Sequence, residues 1–416
     1  MSVRGQKART LSQIGTRPCL ISQAGACCCT QVGNSRPELG QPPRSSPSMG
    51  LTWFYSTPRF LQMMGAHSNT PPAETLVPSF DSIMAWRKIV GPVEGFVQAA
   101  VGRLTEQIGE FEPEIRDYIA YALNAQGKHL RPVLVALSGM ATGAVEDAHV
   151  SGAVIVEMVH LATLVHDDVM DDAQLRRARP TLAAQWGSHL AVLVGDCLFA
   201  HALRLAAQYP TPEVCRVVAA ATNTVCSGEI LQDRHAGDFT LTRSDYFKVL
   251  RMKTGELFAL SGDLGGLLSN APPEQRAALR RYGMALGTAY QVYDDCVDLF
   301  GTEGEAGKTL GSDLAKGKVT LPVLLLMERA NTEDRKQVEE WVPSWEPRDL
   351  PRFRELLDRY QAFAGSATVV QELLEEARTA LRELPTSESR QSLDALTDFL
   401  SAQMTGLYEA PKVPVA

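Results

Sequence analysis

Apolar positions along this chain recur at helical spacing, and in two places the apolar character extends around every side. From Val154 to Val165 the chain reads V-I-V-E-M-V-H-L-A-T-L-V, and from Met284 to Tyr293 it reads M-A-L-G-T-A-Y-Q-V-Y. A helix at a surface pairs an apolar stripe with a polar face, so helices apolar nearly all round are predicted to be buried. Elsewhere the helical spacing is interrupted by Gly139, Gly143, Pro210, Pro212, Pro272 and Pro273, which read as breaks, and strand-like alternation is scarce. The pattern predicts an all-α fold, one domain over residues 84–408, as a bundle of long helices around a central apolar cavity, with 409–416 as a tail. No apolar run reaches membrane-spanning length without a charge or histidine, so no transmembrane segment is expected.

Both buried helices run into carboxylates. The first ends in Asp167-Asp168-Val169-Met170-Asp171 and the second in Asp294-Asp295-Cys296-Val297-Asp298, two clusters of one spacing. Residues four apart on a helix share a face about 6 Å apart along the axis. Each cluster therefore presents a fork, and two facing forks would cage hard divalent cations. An acidic run is usually a solvated face, but carboxylates ending a buried helix need cations beside them. Magnesium prefers carboxylate oxygen and completes its shell with water and substrate phosphate. The arrangement points to chemistry on a diphosphate.

Cations for such a substrate are present. In Gly127-Lys128-His129-Leu130-Arg131-Pro132, Lys128 and Arg131 are three apart and predicted to share a helical face. Leu175-Arg176-Arg177-Ala178-Arg179-Pro180 adds a basic block, followed by Lys253-Thr254, Lys308 and Lys318. Arginine suits bidentate phosphate binding and lysine acts as a point charge. These cations are dispersed along an acidic chain of 40 basic and 48 acidic residues, which argues against nucleic acid as a partner. A histidine on an apolar helix is more often a satisfied core residue than a ligand. His160 nevertheless lies two turns before Asp167 on the same face, whereas His166 lacks the further placed histidines of a metal-dependent phosphohydrolase and reads as structural.

The stretches GKHLRP, EMVHLATLVHDDVMDDAQLRRARPT, GDCLFAHAL, SGEILQD, KTGELFALSGDLGG, YGMALGTAYQVYDDCVD and GKTLGSDLAKGKVTLP resemble, in order, the trans-isoprenyl diphosphate synthases, in their long-chain (polyprenyl) branch. The resemblance covers roughly residues 90–400 and implies the isoprenoid synthase fold. It implies that Lys128, Arg131, His160 and Arg177 hold isopentenyl diphosphate, and that Arg176, Lys253, Thr254, Gln291 and Lys308 hold the allylic diphosphate. It also implies a cofactor of about three Mg²⁺ ions, held at Asp167, Asp168 and Asp171 and at Asp294, Asp295 and Asp298. The catalytic weight would fall on Asp167, Asp171, Asp294 and Lys253. In this chemistry the allylic carbon–oxygen bond breaks, Mg²⁺ and cations stabilise the departing diphosphate, and a dry cavity protects the carbocation. Isopentenyl diphosphate is positioned to attack, and the departing diphosphate can take the final proton, so no dedicated base is needed.

Product length would be set upstream of Asp167. Short-chain members carry an aromatic there; Ala162 and Thr163 are small and leave a tunnel open, with Phe199 as a candidate floor. The expectation is a product longer than geranylgeranyl, suited to a quinone side chain and delivered to a membrane, from a homodimer. The alternatives are a shorter-chain synthase, a class I terpene cyclase, which usually replaces the second cluster and lacks the Lys128/Arg131 pair, and a non-catalytic partner subunit, which tends to lose one cluster. Two departures from the family pattern are mild: Tyr290 stands where phenylalanine is common, and Arg329–Thr368 matches poorly, leaving its helix boundaries open.

Residues 1–83 differ in kind. They hold seven Lys or Arg against Glu38, Glu74 and Asp81, and half of the eight cysteines, including Cys27-Cys28-Cys29, without the spaced pairs of a zinc site. This leader resembles an organellar transit peptide, which would place the protein in a mitochondrion or plastid. Its Gly/Pro punctuation favours instead a disordered or untranslated segment with Met84 as the start, and a cytoplasmic enzyme. Cys197, Cys215, Cys226 and Cys296 read as core thiols of a reducing compartment.

Overall fold

Asp147–Met170 and Pro273–Phe300, the two helices that carry the aspartate clusters, are the longest in the computed structural model, which describes residues 80–124, 127–177, 179–302 and 309–409. All of these residues belong to one compact unit. In chain order the helices are α1 (Phe80–Val90), α2 (Glu94–Glu106), α3 (Arg116–Leu123), α4 (Leu130–Thr142), α5 (Asp147–Met170), α6 (Leu182–Trp186), α7 (Ser188–Ala206), α8 (Glu213–Arg234) and α9 (Arg243–Leu250). There follow α10 (Glu256–Leu268), α11 (Pro273–Phe300), α12 (Ser312–Ala315), α13 (Leu321–Arg329), α14 (Thr332–Trp341), α15 (Leu350–Arg359), α16 (Ala362–Leu381) and α17 (Glu388–Glu409).

The all-round apolar reading of α5 holds: Ala153, Val154, Ile155, Val156, Met158 and Val159 are almost wholly buried. The core lies on both sides of α10. Leu257, Leu260 and Leu264 on one stripe of α10 pack with α5, α7 and α8, while Phe258 packs with α4, α11 and the C-terminal helices. Helices α10 and α11 meet backbone to backbone, because a Cβ at Gly283 would lie 2.3 Å from the Phe258 carbonyl oxygen. Ion pairs Arg276–Asp263 and Arg280–Glu256 then tie the two helices along their partly buried edges, at 2.9 and 2.6 Å.

Several expectations change. Gly139 is inside α4, where its missing side chain admits the ring of His149 at 2.9 Å from the would-be Cβ. The basic block is a small antiparallel hairpin, β1 (Leu175–Arg176) with β2 (Arg179–Pro180), turning through Arg177 at φ 51°. Of the four cysteines in the described residues only Cys296 is core; Cys226 is exposed and the other two are half-buried. Arg329–Thr368 forms α14, α15 and the start of α16, with the Asn331 side chain capping α14 by accepting from Asp334 N at 2.8 Å. The boundary expected at Met84 falls inside α1, which takes up the last four residues of the leader, and the tail expected from 409 begins within α17; residues 1–79 and 410–416 lie outside the described residues. By length and composition alone α5 and α7 could cross a membrane, but both carry histidine and aspartate, and 67% of the apolar window of α5 is buried within the protein.

Candidate active site

The C-terminal end of α5 holds Asp167 and Asp168 in the helix and Asp171 just beyond it. Asp167 Oδ2 lies 3.6 Å from Lys253 Nζ. Asp171 accepts from Lys318 at 3.2 Å and pairs with Lys316 at 2.8 Å. Burial opposes its charge, yet Lys318 and Lys316 hold the Asp171 carboxyl below the ordinary carboxylate value. Asp168 is different. It is buried and accepts from Arg176 Nε at 2.8 Å; burial raises its pKa against the pull of Arg176.

Lys253 and Thr254 lie in a five-residue π-helical turn, Arg251–Gly255, between α9 and α10. One extra residue per turn re-aims side chains that a regular helix would spread around its axis, and such turns gather at functional sites. Helix α8 reaches this turn because Gly228 has no side chain: a Cβ there would meet Lys253 N at 2.8 Å. That approach delivers Glu229, whose carboxylate is 2.6 Å from Lys253 Nζ. Burial disfavours the Lys253 charge, but Asp167 and Glu229 together hold its pKa above the ordinary value.

The second cluster reaches the same turn from α11. Thr254 donates to Gln291 Oε1 at 2.8 Å, and Gln291 Nε2 donates to Asp295 at 2.9 Å, so the contacts fix the amide orientation. Asp295 also accepts from the buried Tyr246 hydroxyl at 2.6 Å. Burial, reinforced by Asp313, pushes the Asp295 carboxyl up to about 8. Asp298 is fully buried and accepts from Ser312 Oγ at 2.8 Å and Asp313 N at 3.1 Å. Asp294 is exposed. Thus Asp295 and Asp298 turn into the protein, and Asp294 turns out.

Lys128 is not on a helical face with Arg131, as the spacing suggested. Helix α4 starts at Leu130, and His129 before it is left-handed, with φ 46° and ψ 43°. Gly127 sits against the guanidinium of Arg177, its would-be Cβ 2.9 Å from Nη1, so the hairpin and the α4 loop close on one another. Arg131 is over the ring of Phe258, 5.0 Å from the centroid. Lys128 and Arg177 are open to solvent but recessed. Desolvation, and then the repulsion of Arg177 for Lys128 and of Arg176 for Arg177, holds both below their ordinary values. His160 faces the same group: burial, then Arg131, Arg177 and Arg176, keeps its imidazole well below its ordinary value and therefore neutral. Cations that repel one another in a recess make an anion site. Arg179 is spent elsewhere, stacked 3.5 Å over Tyr121.

Ala162 is buried, and the Thr163 hydroxyl donates to the His160 carbonyl oxygen at 2.7 Å. His166 faces α7, 3.0 Å from the Val192 carbonyl oxygen and against Gly195. Phe199 lies one turn further along α7, its ring 5.6 Å from that of His166. Lys308 is outside the described residues. Glu229, Lys316 and Tyr246 are site residues to which the sequence reading gave no role. The only signals were Glu229 in SGEILQD and Lys316 beside Lys318.

Among the described residues no three His, Cys, Asp or Glu side chains are arranged to hold a metal ion by themselves. The forks are therefore not a ready-made cage. Asp167, Asp171 and Asp294 nevertheless fit Mg²⁺, which needs only one or two carboxylates when phosphate oxygens and water complete its octahedron.

The polyprenyl synthetase family model matches residues 112–358. The chain is 36% identical over 313 residues to a nonaprenyl diphosphate synthase of Mycobacterium tuberculosis, covering 73% of this chain and 92% of that one. It is 30% identical over 310 residues to a short chain isoprenyl diphosphate synthase of Methanothermobacter thermautotrophicus, covering 73% and 95%. Among solved structures, a polyprenyl synthase from Caulobacter crescentus complexed with calcium and isoprenyl diphosphate is similar with TM-score 0.72 and 32% identity, over 76% of this chain and 97% of that one.

Proposed function

The chain belongs to the polyprenyl synthetase family, and from that premise we propose that it condenses isopentenyl diphosphate with an allylic diphosphate to build an all-trans polyprenyl diphosphate. It is a prenyltransferase. One observation carries the assignment of the site: both aspartate clusters converge on one π-turn, Asp167 through Lys253 and the second cluster through Thr254, Gln291 and Asp295. A cyclase or a partner subunit that had lost a cluster would have no use for that convergence.

In this reading the allylic diphosphate lies against Lys253, Thr254, Gln291 and Arg176; Lys308, which the family resemblance adds to this set, lies outside the described residues. Asp167, Asp171 and Asp294 would hold Mg²⁺, which would supply charge stabilisation to the leaving group. Asp168, Asp295 and Asp298 act behind them, since all three are buried and orient neighbouring groups: Asp168 holds Arg176, Asp295 holds Gln291, and Asp298 holds Ser312 and Asp313. Lys253 places a positive charge where negative charge develops as the carbon–oxygen bond breaks, and Glu229 fixes its direction. Lys128, Arg131, Arg177 and neutral His160 bind isopentenyl diphosphate so that its double bond meets the cation. The departing diphosphate takes the final proton.

The small side chains of Ala162 and Thr163 support elongation past geranylgeranyl, with Phe199 beside the path. The apolar product suits a quinone side chain and passes to a membrane. Val192 and Leu193 on α7 and Ile230 on α8 leave apolar surface exposed, which fits a homodimer. The test is to incubate the protein with Mg²⁺, isopentenyl diphosphate and farnesyl diphosphate and read the products by mass spectrometry. A ladder extending beyond geranylgeranyl supports the reading. Products that stop at geranylgeranyl refute the chain length, and hydrocarbon or no elongation refutes the reaction.

A further inference from the structure

Glu157 is a buried carboxylate for which the reaction has no use. It faces, from α5, the loop that carries Lys128 and leads into α4, whose first turn holds Arg131. Two observations meet there. His129, between the two cations, is held in a left-handed conformation that side chains rarely adopt and that persists only where the surroundings enforce it. Its Nδ1 lies 3.0 Å from Glu157 Oε1, with only 14% and 9% of the two side chains exposed. Glu157 is also placed to favour the charge on both Arg131 and Arg177.

We propose that Glu157 is a positioning residue: through His129 it holds residues 127–131 in the left-handed turn that aims Lys128 at the diphosphate of isopentenyl diphosphate. The inference rests on the reading of Lys128 and Arg131 as substrate cations. The geometry behind it is simple. Arg131 is anchored in the first turn of α4, and Pro132, Val133 and Leu134 are fixed in the core. Between that anchor and Lys128, the dihedrals of His129 decide the direction of the preceding chain. Released from Glu157, His129 would relax toward the ordinary left side of φ/ψ space, and Lys128 would swing away from Arg177. A carboxylate there only for stability would affect both substrates alike.

The experiment uses the full chain with Glu157→Leu, Glu157→Gln, His129→Gly and Lys128→Ala, measuring KM separately for each substrate. Glu157→Leu and His129→Gly should each raise KM for isopentenyl diphosphate about tenfold, the loss of one charge-assisted hydrogen bond. KM for the allylic substrate should stay within about twofold. Combining Glu157→Leu with His129→Gly should be no worse than His129→Gly alone, because one contact is lost only once. Glu157→Gln keeps an acceptor oxygen and should recover most of the affinity. If Glu157→Leu fails to fold, His129→Gly decides alone, since glycine loses the contact with Glu157, adds no backbone strain and is equally free to leave the turn. The proposal is overturned if His129→Gly leaves that KM unchanged while Lys128→Ala raises it. If Lys128→Ala also has no effect, the assignment of Lys128 falls, and the proposal with it.

Discussion

Replacing Lys253 by methionine keeps the length of the side chain and removes its charge, and the structure separates what that should cost in folding from what it should cost in turnover. The ammonium lies 2.6 Å from Glu229 and 3.6 Å from Asp167. At an effective dielectric of about 20, the nearer pair alone is worth about 6 kcal/mol of Coulomb attraction. Desolvation offsets most of that gain, but deleting one member leaves the other charge stranded, at a net cost of about 3 kcal/mol. Glu229 and Asp167 would then repel across the gap. Catalysis loses separately, because a positioned cation at the leaving group is worth about 3–4 kcal/mol, or about 10² to 10³ in rate. Urea unfolding and incorporation of labelled isopentenyl diphosphate measure the two. The decisive arm is Lys253→Met with Glu229→Gln, which relieves the stranded carboxylate. It should regain most of the lost stability and none of the turnover. If turnover returns with stability, or Lys253→Met stays within a few-fold of the parent rate, Lys253 is structural and the leaving-group role is wrong.

Four further outcomes follow from particular contacts. Tyr246→Phe removes one donor from Asp295 and loosens Gln291; KM for the allylic substrate should rise about tenfold with that for isopentenyl diphosphate unchanged, in steady-state assays varying each in turn. Phe199→Ala should lengthen the product distribution seen by mass spectrometry, and an unchanged distribution would remove Phe199 from the product path. Gly283→Ala would drive a methyl into the Phe258 carbonyl at 2.3 Å and should destabilise the protein by about 3 kcal/mol in urea unfolding, whereas Gly91→Ala, with open space around it, should not. Burial holds the His149 imidazole below its ordinary value, against contacts with Gly265 and Glu146. The unfolded chain therefore takes up a proton first as pH falls through about 6.5, and stability present above that pH declines on acidification until the folded value is reached; His149→Gln should flatten that decline in pH-dependent melting.

The sequence exposed the parts of this fold whose physics is local. An apolar stretch with no polar face has to be buried, and α5 and α11 are. Carboxylates at the ends of such helices need cations, and Asp167 and Asp171 have theirs in Lys253, Lys316 and Lys318. What the sequence concealed depends on where the chain leaves the regular helix. The spacing of Lys128 and Arg131 looks helical, but one left-handed residue between them takes Lys128 out of the helix. Lys253-Thr254 looks like ordinary helix too, and no residue type announces that its turn is a π-turn. The two aspartate clusters have the same spacing but different fates. In the first, the chain leaves the helix at Asp171 and two lysines from a distant loop reach that carboxylate. In the second, the helix runs on to Phe300, so Asp295 and Asp298 stay on its inner face and bind protein donors. A repeated motif therefore predicts repeated chemistry only as far as the backbone beneath it repeats. In α5 and α11 that agreement ends one turn after the first aspartate.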